Sequence, residues 1–265
     1  MTFAELIHAV HTHPQHVVVP GLWGQGRATF GGLVAAMLYE AMRLKVAPGK
    51  PVRSLAITFV GPMQMGEPAA FEAEVLREGK SVSQVLGRVV QNGAVVAMAQ
   101  ASFGAARESA VRVMAEPAPA MPAVEQCLEL GYIPGVTPEF TRFLAMRWGE
   151  GGMPFSNNPS RSMGGWVRLR SDVSYDKVSE VHLLALVDAW PPVVLSHLSK
   201  PAPGSSLTWT IEFVHPIPSL TTHDWCLYRA EIEHAADGYG HIAARLWTAD
   251  GQLLALSRQT TTVFD

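Results

Sequence analysis

The chain has 265 residues, 48% of them hydrophobic and only 16% charged, with a formal net charge of −3. A chain of this length can bury roughly 70–75% of its unfolded surface, and it lacks the clustered Lys and Arg that nucleic acid or an anionic membrane surface would require. Cys127 and Cys226 are too few for a disulfide framework and have no zinc-binding spacing. The expected setting is therefore a reducing cytoplasm, with no metal or cofactor, no signal peptide and no apolar run approaching ~18 residues to span a membrane.

Leu6, Ile7 and Val10, following a capping Thr2, predict a short amphipathic helix over 2–12. The segment Gly24-Gln-Gly-Arg-Ala-Thr-Phe-Gly-Gly32 is a glycine-rich approach to a second helix over 33–44. There Leu33, Ala36, Met37, Glu40, Ala41 and Leu44 keep helical spacing, and Pro48-Gly49 stops the run. Strands are expected at 54–60, 69–77, 81–91 and 94–104. Arg77-Glu-Gly-Lys-Ser81 and Gln91-Asn-Gly-Ala94 form the turns between them, the second with the Asn-Gly pair of type I′ hairpins. Residues 105–125 lose periodicity and carry Pro117, Pro119 and Pro122, as a linker does. An irregular stretch through Gly149-Glu-Gly-Gly-Met-Pro154 is expected to be mobile. A strand at 166–170 and a helix over 179–189, broken by Pro191-Pro192, lead into strands at 206–214, 224–234, 239–248 and 252–263.

The chain says nearly the same thing twice. Phe59-Val-Gly-Pro62 recurs as Phe213-Val-His-Pro216, with Ile57 and Ile211 two residues before each Phe. The turn Asn92-Gly93 recurs as Asp250-Gly251, each followed four residues later by Ala97 or Ala255. Helix followed by antiparallel meander is thus repeated, an α+β pattern. A curved sheet around a helix rich in small residues (Ala35, Ala36, Ala41) is the hot-dog fold, here expected as a double hot-dog. The expected layout is one unit over 1–110, a linker over 111–130 and a second unit over 131–265. Eight residues beyond the turn glycine the second copy has Gln259 and the first has Ala101. A polar side chain kept in one copy and reduced to methyl in the other points to one functional site, in the second half.

At the level of motifs the chain resembles the acyl-CoA thioesterase II (TesB-like) family of double hot-dog enzymes. The resemblance is carried by Phe30-Gly31-Gly32, Arg77-Glu-Gly-Lys-Ser81, Gln91-Asn-Gly-Ala, Ala101-Ser-Phe103, Leu186-Val-Asp-Ala-Trp190, Ser205-Ser-Leu207, Asp224-Trp225 and Asp250-Gly-Gln-Leu-Leu-Ala-Leu-Ser-Arg-Gln259. It implies hydrolysis of an acyl-CoA thioester to free acid and CoA by a water that Asp188, Ser206 and Gln259 activate. It also implies a homo-oligomer. The family's usual Asp-His after the hydroxyl residue is here Thr208-Trp209, and the Glu-Gly after the Gln is Thr260-Thr261. Ser205, Thr208 and Thr210 are the alternative hydroxyls.

A thioester needs a base for water and a donor for the developing oxyanion. Asp188, expected in mid-helix and partly desolvated, is the candidate base. The backbone amides at Phe30, Gly31 and Gly32, free at a helix start, are the candidate oxyanion donors. Arg77 and Lys80 are the candidate contacts to CoA phosphates, with Arg27 and Arg88 behind them. Glu40 reads as an ion-pair residue. Direct attack by Asp188 to form an anhydride is not separable from water activation at this level. A non-catalytic acyl-CoA or lipid-binding protein is the alternative, and no hydratase motif is present.

Overall fold

The structure is a computed structural model, in which residues 1–170 and 177–264 are described. Helix α1 (Phe3–Thr12) begins as the sequence predicts. The Thr2 hydroxyl accepts the Glu5 N–H, and the Glu5 carboxylate accepts the Thr2 N–H at 2.7 Å, so two orphan amides are satisfied reciprocally. A two-residue strand β1 (Val17–Val18) and a small hairpin, β2 (Gly24–Gln25) and β3 (Ala28–Thr29), lead to α2 (Gly31–Arg43). Every residue from Gly32 to Met42 is buried. Leu44, the last residue of the helical spacing, is the C-cap and is exposed.

Four long strands follow: β4 (Val52–Phe59), β5 (Pro68–Glu78), β6 (Val82–Gln91) and β7 (Ala94–Gly104). They wrap α2, and the close approach is made on the sheet side. A Cβ on Gly87 of β6 would lie 2.7 Å from Met42 Sδ and 2.9 Å from Leu38 Cδ1. The second half contributes β8 (Leu128–Leu130), β9 (Leu144–Glu150), β10 (Ser162–Leu169) and α3 (Glu180–Val187), which packs on α2. Its meander is β11 (Gly204–Phe213), β12 (Cys226–Ala236), β13 (Tyr239–Thr248) and β14 (Leu253–Val263). The two meanders join edge to edge into one 12-stranded sheet ordered β1-β5-β6-β7-β4-β11-β14-β13-β12-β10-β9-β8.

Strand register makes the repeat concrete. Phe59 pairs with Ala97 as Phe213 pairs with Ala255. Bulges fall at matching places in both halves: Val52/Ser54 and Ser206/Thr208, Val75/Arg77 and Ile232/His234, Val89/Val90 and Leu246/Trp247. Since a bulge re-aims the side chains beside it, the halves share side-chain direction as well as strand order. At the seam Ile57 pairs with Trp209 and Leu55 with Ile211, so an approximate two-fold axis passes between Ala56 and Thr210.

Two expectations fail around the linker. Residues 128–130, placed in it, form the edge strand β8, and Gly149-Glu150 closes β9. The stretch expected to be mobile is pinned just beyond: Phe155, Asn157 and Asn158 donate their amides to Leu195, Leu198 and Ser196 carbonyls at 2.7, 2.9 and 2.8 Å. Periodicity does not register such loop-to-loop bonding.

Candidate active site

Helix α3 stops one residue short of Asp188, which is its C-cap and not a mid-helix residue. Pro191-Pro192 accounts for the early end, because a proline offers no N–H and restricts the residue before it. Asp188 N–H still donates to Leu184 O at 3.3 Å, which fixes the side chain's departure from the helix. The carboxylate projects to the first turn of α2. A Cβ on Gly31 would stand 2.9 Å from Asp188 Oδ2, and one on Gly32 would stand 3.0 Å from Asp188 Cβ.

Gln259 Nε2 donates to Asp188 Oδ1 at 2.8 Å, and Ser206 Oγ donates to Gln259 Oε1 at 3.3 Å. The three side chains therefore form one chain of hydrogen bonds across α3, β14 and β11. The bulge at Ser206/Thr208 selects among the hydroxyls. It inserts Leu207, so Ser206 falls on the inner face that Trp209, Ile211 and Phe213 occupy, while Ser205, Thr208 and Thr210 are exposed. Strict alternation would have put Ser206 outside.

Asp188 keeps only a partly exposed surface. Burial pushes its carboxyl up to about 7, against the downward pull of the bonds from Gln259 and the Gly32 amide. That suits a group that must both take and return a proton near neutrality.

The start of α2 departs from expectation. Phe30 occupies the N-cap with no polar side chain to give, so the Asp188 carboxylate supplies the missing acceptor to the Gly32 N–H. Phe30 N–H donates to Trp23 O at 2.9 Å. Neither amide is free. Of the three expected oxyanion donors, Gly31 N–H is the one for which no described residue supplies an acceptor.

A segment that sequence reasoning missed closes over this turn. In the helical turn Glu139–Phe143 the ring of Phe140 stacks on Phe30 at 3.9 Å between centroids, and Phe143 stacks on Trp23 at 4.0 Å. The spacing of Phe140 and Phe143 was the available signal.

The first copy holds an altered version of the same place. Register equates Ser206 with Val52 and Gln259 with Ala101, and Leu186-Val-Asp188-Ala matches Leu38-Tyr-Glu40-Ala. Glu40 is buried and hydrogen-bonded by Arg43, whose Nε donates at 2.8 Å, and by the His11 ring. Its expected ion pairing is what the structure shows. One copy holds a carboxylate beside a glutamine and a serine; the other holds a carboxylate paired with Arg43 and His11, with Val52 and Ala101 in place of that serine and glutamine.

Two family models match the chain. The acyl-CoA thioesterase N-terminal domain covers residues 19–104, and the acyl-CoA thioesterase C-terminal domain covers residues 124–263. The chain belongs to the acyl-CoA thioesterase family. It is a thioester hydrolase of double hot-dog fold. Acyl-CoA thioesterase 2 of Haemophilus influenzae is 24% identical over 251 residues, 88% of this chain and 86% of that protein. Among solved structures, a hot-dog protein of unknown function from Alicyclobacillus acidocaldarius superposes with TM-score 0.80 at 23% identity, covering 94% of this chain and 92% of that one. A tesB protein from Mycobacterium avium subspecies paratuberculosis gives 0.77 at 17% identity, with both chains fully covered. At these identities the superpositions speak for the fold.

An acyl-CoA thioesterase must also hold CoA, whose phosphates lie a long pantetheine arm away from the reacting thioester. Arg77 and Lys80 are exposed at the β5–β6 hairpin, in line with Val52 at the start of β4. Asp188 lies by Phe59's end of that strand, about 20 Å away at the strand rise. The structure does not bring these two cations to the Asp188 site. The cation that organises the hairpin is Lys50, donating to Gly79 O at 2.7 Å and Ser83 Oγ at 3.0 Å. Arg88 is taken by Glu72 at 3.0 Å. Arg27 is exposed between β2 and β3, four residues from Gly31.

Proposed function

We propose that the chain hydrolyses acyl-CoA thioesters with Asp188 as the base that activates water. One observation carries the proposal: the Ser206–Gln259–Asp188 hydrogen-bond chain, present in the second copy and replaced in the first. A water accepting from the second Gln259 Nε2 hydrogen, or donating to Ser206 Oγ, gives a proton to Asp188 as its oxygen bonds the thioester carbonyl carbon. The oxyanion accepts from Gly31 N–H, with the α2 dipole behind it. Collapse breaks the carbon–sulfur bond, and the CoA thiolate takes the proton back from Asp188. A thiol with pKa of about 8.5 is a good leaving group, so no stronger acid is needed.

CoA release measured over a panel of acyl chain lengths tests the proposal. Asp188→Asn should lose at least ~100-fold in kcat, the range of general-base contributions. An Asn variant at full activity would remove Asp188 from the mechanism. Homo-oligomer formation belongs to the same proposal, supported by Val111, Val113 and Met114 standing exposed on the linker. Light scattering that reads a monomer would remove it. Cys127 and Cys226 are free and buried, which supports the expected reducing compartment. Among the described residues no helix is long and apolar enough to cross a membrane.

A further inference from the structure

The two copies of one bulged strand pair separate what the fold requires from what the chemistry requires. Two more positions change alongside Ser206/Val52 and Gln259/Ala101. Register equates Trp209 with Leu55 and Ser257 with Ala99. Val52, Leu55, Ala99 and Ala101 are all buried, so the same strands and the same bulge form with an apolar inner face. The second copy instead buries an indole N–H and a hydroxyl, each of which is costly unless paired. They pair with each other: Trp209 Nε1 donates to Ser257 Oγ at 2.9 Å. Trp209 is fully buried and stands directly across from Gln259 on the neighbouring strand. Side chains so placed have Cβ atoms about 5 Å apart and restrict one another's rotamers.

We infer that Trp209 and Ser257 are positioning residues, whose mutual hydrogen bond fixes the indole as the wall that keeps the Gln259 amide on Asp188 and Ser206. Ser257 sits two residues before Gln259, on the same face of β14. The bond thus ties the wall to the strand that bears the glutamine. A glutamine has three side-chain torsions to freeze, and the indole freezes them before substrate arrives. The inference rests on Asp188 being the base.

Steady-state CoA release across pH tests it, with thermal melts alongside. Ser257→Ala keeps the indole and Trp209→Phe removes its donor. Each should lower kcat about five- to twentyfold, the effect of one hydrogen bond on a barrier, with KM within about twofold. The acid limb of the pH profile should move to higher pH in both, because a looser Gln259 pulls the Asp188 carboxyl down less. Gln259→Ala should move it the same way and further. Ile211→Val, directly across from Ser257, should lower the melting temperature and move neither kcat nor the limb. The double variant Trp209→Leu/Ser257→Ala imports the first copy's pair, and should fold while losing activity. Single variants that match the parent in kcat and pH profile, while Gln259→Ala and Asp188→Asn are inactive, would make the pair plain packing and leave the active-site reading standing. An active Asp188→Asn would overturn that reading, and this inference with it.

Discussion

Asp188 serves two demands that conflict. It caps α2 through the Gly32 amide, which favours the charged form, yet it is enclosed enough that burial lifts its carboxyl to about 7. The proposed base works only when ionised, so kcat/KM should rise about tenfold per pH unit below neutrality and level off above about 7. Stability should run the other way. A folded-state pKa above the unfolded value near 3.9 means the native protein retains a proton that the unfolded chain has shed. The associated stability is fully present below pH ~4 and is lost as pH rises through about 7. Asp188→Asn removes this penalty and should be more stable than the parent at pH 8 by on the order of 3 kcal/mol, with little difference at pH 4. Urea titrations at the two pH values read this directly. An Asn variant weaker at pH 8 would show the charge to be stabilising on balance.

At the scale of elements, the site is a meeting of ends: the last turn of α3, the first turn of α2 and the bulged start of β11. Gly31 and Gly32 make the meeting possible. A Cβ at 31 would press on the Asp188 carboxylate at 2.9 Å, and one at 32 would meet the Phe30 ring at 2.6 Å. Gly32→Ala should cost about 1–3 kcal/mol as overpacking. Gly31→Ala should act more on kcat than on melting temperature, since it displaces the carboxylate and not the core. Equal losses of both quantities in both variants would count against the placement of the carboxylate there. The strands were legible because Phe, turn Gly and Ala recur at matched spacing, and Gln259 against Ala101 pointed to the half that holds the Ser206–Gln259–Asp188 hydrogen bonds. The chain-terminating effect of Pro191-Pro192 was visible as a break, yet its consequence, Asp188 leaving the helix as a cap, depends on where α2 starts in space. Ser206 facing inward depends on a bulge that no alternation pattern encodes. The supposed freedom of the Phe30 and Gly32 amides failed for a similar reason, because their acceptors come from Trp23 and from the other half of the chain.

At the scale of the molecule, a near two-fold arrangement holds two carboxylates at equivalent places, and their surroundings drive them apart. Burial would raise Glu40 too, but the hydrogen bonds from Arg43 and His11 outweigh it and hold the carboxyl below its usual range. His11 ties α1 to α2, Arg43 pairs with Glu40 within α2, and Glu180 at the start of α3 adds a stabilising field on Arg43. Glu40 therefore has a holding role, in contrast to the proton transfer proposed for Asp188. Glu40→Gln should leave CoA release per folded molecule unchanged and lower stability at pH 7 by about 1–2 kcal/mol, a buried pair discounted for the exposure of Arg43 and His11. With a depressed folded-state pKa, the Glu40 contribution is present above the unfolded pKa and lost as pH falls through the folded value. The gap between parent and Glu40→Gln should accordingly close in acid, whereas the gap for Asp188→Asn opens towards alkaline pH with the opposite sign. Denaturation of both variants across pH 3–8, with CoA release measured on the same samples, tests the division. A partial loss of turnover in well-folded Glu40→Gln would mean that the chain has two working sites.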